Sequence, residues 1–361
     1  MKTSLTLKCL LIAGFVVLGA VSIAGAADKT FYEGKTVTVL INYAAGGPTD
    51  VEGRIIAKHL GKHIPGKPSV VVQNMGGGGG VTATNYLGEV AKPDGLTVGY
   101  FTGALFRFQL KEGTRVDASK YPFIGAVESV AVSYIRSDVP PGIKRPEDIV
   151  KAQRFKAGGL SNGSSKDVRF RLSFDLLGLP YDYVTGYSSS STARLAVQRN
   201  EVQYHDETLP GYRTQVESQM VKTGMVTPLW YTDLVTPEGE VKPSADVPEL
   251  LPFTQFYRKV MGKSPSGVKY EALKAANMSS TNMQRTFLLA PGSPEAAAAA
   301  MRQAVEALSK DEEFLAEAKK VMRFQPRFQL GEEGVKLYKQ VSDISPEIVT
   351  FLKDYIAEQK K

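Results

Sequence analysis

Residues 37–60 read VTVLINYAAGGPTDVEGRIIAKHL, and residues 69–87 read SVVVQNMGGGGGVTATNYL. Each is a short apolar run, a glycine-rich turn and a helical pattern. The turn Lys92-Pro93-Asp94-Gly95 and a third apolar run at 96–102 follow. This fixes a β-α-β-α-β order, with strands at 35–43, 69–75 and 96–102 and helices at 48–62 and 81–91. Strands joined through helices lie parallel with right-handed crossovers. The strand-to-helix turns then share one sheet edge, where open α/β folds bind ligands.

The pattern recurs downstream. Residues 121–142 are apolar and β-rich, end in the turn at Pro140-Pro141, and carry the chain toward a second domain. There FKAGGL, YDYV and EVQYHDE each precede a small-polar turn and a helix start. A strand at 225–231, a Pro-rich charged connection and a late strand at 283–290 follow. Residues 293–321 read as one helix, with Ser293 at its N-cap and Pro294 in its first turn. SPEIVTFLKDYIAEQ near the end repeats that start signal.

The first 26 residues carry Lys2 and Lys8, an apolar run from Cys9 to Ile23, and the small-residue motif Ala24-Gly25-Ala26. They read as a cleaved export signal, too short in apolar length to span a bilayer. Residues 27–361 suit two domains at about 100–200 residues each. The sole cysteine, Cys9, departs with the signal. The mature chain therefore offers no disulfide, thiol nucleophile or thiolate metal ligand. The formal charge is +7, dispersed among acids in clusters such as KRPED and KDEEF. That is an ordinary solvated surface and not a nucleic-acid stripe.

Three chemistries compete for the glycine turns. Gly78-Gly79-Gly80-Val81-Thr82-Ala83 fits a loose dinucleotide pattern, but the next strand ends without the required acid, and no phosphate-loop motif exists. Gly159-Leu160-Ser161-Asn162-Gly163 matches a nucleophile elbow, with His205 as the only downstream histidine. The poor spacing makes Ser161 a turn residue near a ligand, with a serine hydrolase as the alternative. His59 and His63 are spaced i, i+4, but KHLGKH lacks the zincin glutamate and reads as a solvated helix face, so no metal and no cofactor is expected. The third chemistry is capture of an anion by backbone amides, which glycine lets a ligand approach closely. Neither YAAGGPTD nor NMGGGGGV holds a Lys or Arg, which suits a carboxylate better than a phosphate. Asp50 in this setting either shapes the first loop or meets a ligand ammonium or hydroxyl.

The order of these motifs resembles the extracytoplasmic solute receptors of the tripartite tricarboxylate transporter family, the Bug-type receptors. The counterparts are Gly46-Gly47-Pro48-Thr49-Asp50, residues 74–83, Pro93-Asp94-Gly95, Ser161-Asn162-Gly163-Ser164-Ser165, Gly186-Tyr187-Ser188-Ser189, LAVQRNEVQ and FLLAPGSPEAAAAAMRQAV. Departures include Gly76, Gly186 and Ser189, and Lys166-Asp167 where the family commonly has Gln-His. The resemblance implies a two-domain α/β binding protein of the periplasmic type II kind. Each domain would be a mainly parallel sheet flanked by helices, with the ligand cleft between them. Domain I would comprise 27–126 plus 254–361, and domain II 127–253. It implies no enzyme, but a monomeric periplasmic receptor for a small organic carboxylate: a di- or tricarboxylate, an aromatic acid or an acidic amino acid. The receptor would serve membrane permease subunits, the alternative being a carboxylate sensor without a transport role. By position the resemblance implicates Tyr43, Ala44, Gly46, Gly47, Thr49 and Asp50 in the first loop. It adds Gly77, Gly78, Gly79, Gly80 and Val81 in the second loop, and Thr102 at the third strand's end. From the second domain it implicates Asn162, Ser164, Ser165, Tyr187, Ser188, Glu207 and Thr208.

Overall fold

The computed structural model describes residues 30–111 and 113–358. The export signal and Cys9 lie outside the described residues. The chain opens with β1 (Thr36–Ile41), α1 (Pro48–Leu60), β2 (Ser69–Asn74), α2 (Val81–Asn85), β3 (Thr97–Thr102), α3 (Ala104–Leu110) and β4 (Phe123–Glu128). It continues through β5 (Ala131–Arg136), β6 (Phe155–Gly158), α4 (Ser165–Leu177), β7 (Tyr181–Val184), α5 (Ser190–Gln198), β8 (Tyr204–Thr208), a short α6 (Leu209–Gly211) and β9 (Val226–Tyr231). The hairpin β10 (Leu234–Val235) and β11 (Val241–Lys242) leads to α7 (Phe253–Met261), α8 (Val268–Asn277) and β12 (Arg285–Leu289). The last elements are α9 (Glu295–Ser309), α10 (Glu312–Met322), β13 (Arg327–Gln329), α11 (Gly331–Ser342) and α12 (Pro346–Glu358).

Two open sheets result. The first has the order β13-β4-β12-β3-β1-β2 and the second β7-β6-β8-β5-β9. In each, one central strand pairs parallel with two neighbours: β1 with β2 and β3, and β6 with β7 and β8. The parallel core expected from the βα units is thus present twice. Antiparallel strands extend it: β12 against β3 and β4, and β5 against β8 and β9. The sheets are therefore mixed and not mainly parallel: β12 re-enters the first after the chain has built the second, and β5 enters the second against β8 and β9.

The apolar stretch at 121–142 divides between β4 in the first sheet and β5 in the second. The outgoing and returning chains meet there, where the Ser129 amide donates to the Thr281 carbonyl at 3.0 Å. From α4, Arg169 donates to Ser280 Oγ and Thr281 Oγ1 of the returning segment at 3.0 and 2.8 Å.

Packing follows the sequence pattern. On α1, Gly53 leaves no room for a Cβ, which would lie 2.6 Å from Ile41 Cδ1, so the helix rests close on β1. The alanine-rich α9 buries Ala297, Ala298, Met301, Ala304, Val305 and Leu308, an i, i+3, i+4 stripe lying against the first sheet. The second sheet's core is aromatic: Phe174 meets Tyr204 edge-on at 4.5 Å, and Trp230, Phe253 and Phe256 adjoin them. Helices α7, α8 and α12 also pack with this second cluster. The single helix expected over 293–321 is interrupted, since Asp311 caps a new helix by accepting from the amides of Glu313 and Phe314. Its N-cap is Pro294, without a side-chain bond, while the Ser293 hydroxyl turns back to the Ala290 carbonyl. Among the described residues no helix is long and apolar enough to cross a membrane.

Candidate ligand site

At the end of β1, Asn42 is fully buried and acts as one more rung of the sheet. Its Nδ2 donates to the Thr102 carbonyl at 2.9 Å, and its Oδ1 accepts from the Thr102 amide at 3.0 Å. The Thr49 and Thr102 hydroxyls lie 3.0 Å apart. The turn before α1 is folded around Asp50, which is 3% exposed. Its Oδ2 accepts from the Gly46 amide at 2.8 Å and Arg54 Nε at 3.0 Å, and its Oδ1 accepts from Asn74 Nδ2 at 2.9 Å. Burial pushes the Asp50 carboxyl up, but the hydrogen bonds from Arg54, Gly46 and Asn74 outweigh it and hold the group below its usual range. Asp50 is thus committed to shaping the loop.

The run at 76–80 adopts a conformation that side chains resist. Four successive residues have positive φ: Gly77 at 125°, Gly78 at 57°, Gly79 at 64° and Gly80 at 96°. Each would cost an L-residue roughly 1–2 kcal/mol. The Gly80 amide donates to the Gly77 carbonyl at 2.9 Å, and the Val81 amide to the Gly78 carbonyl. Those two donors are spent inside the turn, whereas among the described residues no backbone carbonyl accepts from Gly78 or Gly79. Tyr43 closes over the turn, its hydroxyl 3.3 Å from the Gly79 carbonyl. A Cβ on Gly80 would overlap the Asn42 amide, while one on Gly79 would stand 3.3 Å from Arg107 Nη2. Ala44 touches the same turn, since a Cβ on Gly76 would lie 3.3 Å from the Ala44 amide nitrogen.

Arg107 carries no signal within the two glycine loops, since it comes from the third strand-to-helix junction. It sits one helical turn into α3, behind the third strand-to-helix junction at Thr102-Gly103. The same helix sends Phe106 and Leu110 into the second sheet's cluster and Leu105 and Phe108 into one beneath the first. It therefore places a guanidinium beside the glycine turn from the seam between the sheets. Tyr43 is 38% exposed, and its phenol lies within reach of the positive charges of Arg107 and Arg285. Arg285, at the start of β12 and opposite Thr102, is buried with Glu52, Nε to Oε2 3.1 Å.

The second sheet repeats the device. Asp167, in the first turn of α4 and fully buried, accepts from the Ser161 amide at 2.9 Å and the Tyr183 hydroxyl at 2.6 Å. Gly159 is required there because a Cβ would overlap the Asp167 carboxylate. Burial raises the Asp167 pKa, whereas Asp50 has a guanidinium to lower its own. Ser164 caps α4 through the Asp167 amide and Ser189 caps α5 through the Thr192 amide. The loop holding Tyr187 is pinned by its amide on the Gly159 carbonyl, and the Ser188 hydroxyl faces Thr192 Oγ1 at 3.5 Å. Glu207 is paired with Arg194 at 2.8 Å in a nearly dry site, and Thr208 ends β8 opposite Ala131. Asn162 offers its carbonyl to Arg171 at 2.6 Å, and Ser165 opens α4.

Lys166 is the other residue missed as a site group. Its Nζ donates to Ser190 Oγ at 2.8 Å and lies 3.0 Å from His205 Nε2. His205 Nδ1 meets the Gly158 carbonyl at 2.8 Å, so Nδ1 carries the proton and Nε2 accepts from the lysine. Burial and the adjacent lysine charge hold His205 neutral, its pKa well below the ordinary value. Both ring nitrogens are engaged, so His205 is not available to Ser161 as a general base. The elbow motif therefore does not form a hydrolytic centre.

The sequence-selected residues thus form two groups, one at each sheet's edge. Tyr43, Ala44, Gly46, Gly47, Thr49, Asp50, the run 77–81 and Thr102 make the first, and the residues from Asn162 to Thr208 the second. His59 and His63 belong to neither. The solvated face expected for them is corrected by the structure: His59 is 2% exposed and turns toward α10.

No protein-family model matches the chain. A UPF0065 protein of Agrobacterium vitis is 28% identical over 155 residues, 41% of this chain and 43% of its own length. A UPF0065 protein of Cupriavidus necator is 31% identical over 154 residues, 42% and 46% of the two chains. The matched part spans less than half the length of these curated relatives. Solved structures match over nearly the whole chain. A TctC solute binding protein from Polaromonas aligns with TM-score 0.63 and 17% identity over 91% of this chain and 99% of that one. MatC from Rhodopseudomonas palustris with bound malate gives 0.59 and 17%, over 89% and 98%. An R. palustris protein with adipate gives 0.62 and 17%, over 89% and 97%. The fold is therefore that of two-domain periplasmic solute-binding proteins, the group the motifs resemble.

Proposed function

We propose that this chain is a periplasmic receptor that binds a small organic carboxylate between its two lobes and presents it to a membrane permease. The observation that carries this reading is the run of four left-handed glycines closed by Tyr43 and flanked by Arg107, at the carboxyl ends of parallel strands. A stretch so expensive to order is explained by what it admits. Among the described residues the Gly78 and Gly79 amides donate to no backbone carbonyl, and the Arg107 guanidinium lies 3.3 Å from where a β-carbon on Gly79 would stand. Charge-assisted hydrogen bonds contribute roughly 1.5–3 kcal/mol each, enough in combination to offset desolvation of one carboxylate. Tyr43, Thr49 and Thr102 complete that jaw. The second jaw is built by Asn162, Ser164, Ser165, Tyr187, Ser188 and Thr208, with Lys166 among them, and Glu207 supports it through Arg194. The lobes, one around the first sheet and the other around the second sheet with α7, α8 and α12 packed on it, close about the adjacent crossings near Ser129 and Thr281. Solved proteins of this fold hold malate and adipate, and the glycine loops match the motifs of carboxylate receptors. The signal-like residues 1–26 support export to the periplasm.

The test is calorimetry with a panel of dicarboxylates, malate and adipate included, on wild type and Gly78→Val. The substitution places a branched side chain at φ 57° in the jaw. Binding by wild type and its loss in a cooperatively melting variant supports the reading. Equal affinity in the folded variant removes it. Scattering with and without a bound acid reads closure as a smaller radius of gyration.

A further inference from the structure

We infer that His59, Asp311 and Glu313 form a binding site for a divalent transition metal ion of the zinc class, joining α1 to α10 on the first lobe. His59 is held between two sets of carboxylates. Its Nε2 lies 2.7 Å from Glu317 Oε2, and its Nδ1 lies 3.9 Å from both Asp311 Oδ2 and Glu313 Oε2. An ionised Glu317 accepts the Nε2 proton, so the tautomer leaves the Nδ1 lone pair aimed at two carboxylate oxygens. This is the carboxylate–histidine arrangement that orients a metal-binding imidazole.

A separation of 3.9 Å is too long for a hydrogen bond. It fits two ligands sharing one ion, which at about 2.0–2.2 Å each stand at most about 4.4 Å apart. The three donor atoms lie within 4.8 Å of one another, and Glu313, 73% exposed, can rotate to close the remainder. Just beyond α1, His63 Nε2 is hydrogen-bonded at 2.8 Å to the same Asp311 oxygen and holds that carboxylate in place. One imidazole and two carboxylates, with a fourth position left for water, suit zinc, cobalt or nickel better than calcium or magnesium. The gap is now bridged by Lys62, whose Nζ reaches Asp311 at 2.8 Å and Glu313 at 2.7 Å. Its side chain is 42% exposed and can withdraw to solvent when a dication takes its place. The Phe314 ring backs His59 at a centroid distance of 5.9 Å and fixes the ring plane. The ion would clamp α1, the helix whose first turn holds Asp50, to α10.

The experiment uses the mature chain, tag removed and dialysed against chelator, titrated with zinc chloride near neutral pH and followed by calorimetry and thermal melting. The expected result is one saturable site and a melting temperature raised by several degrees. Glu313→Gln, on the surface, weakens binding about tenfold or more. Lys62→Ala removes the competing cation and tightens it, which adventitious surface binding would not do. Cobalt in place of zinc reports the ligand set by its visible absorption. Absence of saturable binding at millimolar zinc, or a site indifferent to both Glu313→Gln and Asp311→Asn, overturns the assignment.

Discussion

Asp50→Asn exchanges one oxygen for an amide group and leaves the volume unchanged, so its effect isolates the hydrogen bonding of the first loop. The carboxylate accepts three bonds, from the Gly46 amide, Arg54 Nε and Asn74 Nδ2. If the asparagine oxygen takes the Oδ2 position, its amide group faces Asn74 Nδ2, donor against donor. Asn74 cannot turn over without losing its own bonds to the Tyr43 carbonyl and to Arg54 Nη2, both 3.0 Å. With the opposite orientation the clash moves to Gly46 and Arg54. At least one bond to a charged group, about 1.5–3 kcal/mol, is lost in either case, and the others weaken to neutral strength. The charge pairing with Arg54, whose side chain is 51% exposed and screened by solvent, adds little. The expected destabilisation is about 2–4 kcal/mol by urea unfolding, with faster amide exchange across residues 43–50. The Asp50 pKa lies below its unfolded value near 4, so this contribution is present above that pH and disappears as pH falls through the folded value. Wild type and variant therefore converge in acid. A loss under about 0.5 kcal/mol at neutral pH, with unchanged exchange, would refute the loop-holding role. Selective loss of amino-bearing ligands in a stable variant would instead place Asp50 against the ligand.

Arg107→Gln should lower carboxylate affinity about tenfold, or 1.4 kcal/mol, in titration calorimetry while the protein still melts cooperatively. Lys166→Met should weaken binding of ligands with two separated negative groups more than of monocarboxylates, read from the same titrations. Gly80→Ala drives a methyl into the Asn42 amide at φ 96° and should cost about 2–3 kcal/mol, seen as a lower urea midpoint. Arg285→Met strands the buried Glu52 and should destabilise by about 3–5 kcal/mol. Asp233 is fully buried and desolvation raises its pKa to about 6, against its bonds from the Thr254 amide and hydroxyl. Its folded pKa lies above the unfolded one, so stability falls as pH rises from about 4 to 6. Asp233→Asn keeps an acceptor for the amide and a donor for the hydroxyl, and should flatten that slope and stabilise the protein at pH 7 by about 1–3 kcal/mol.

Local order was written into the sequence wherever a short stretch carries its own instruction. Apolar runs broken by glycine turns fixed β1, β2 and β3 and the helices between them, because the chain has no other way to bury such runs in succession. The glycines announced positive φ, and four of the five adopt it. The repeated strand, small-polar turn and helix start gave β6, β7 and β8 with their helices. What tertiary structure alone decided is which distant groups meet. Arg107 stands beside Gly79 because α3 folds back from the third junction, and no spacing within the glycine loops encodes that. Lys166 reaches Ser190 and His205 only after two helices and a strand converge. His59 looked solvated because its partners, Asp311, Glu313 and Glu317, lie some 250 residues away on α10. Likewise the stretch at 121–142 reads as one largely apolar, β-rich run, yet it splits between two sheets at the place where Ser129 meets Thr281. Local patterns report the conformation of a segment and the face it buries. Partners across long loops are set by how whole elements pack, and that information is spread over the entire chain.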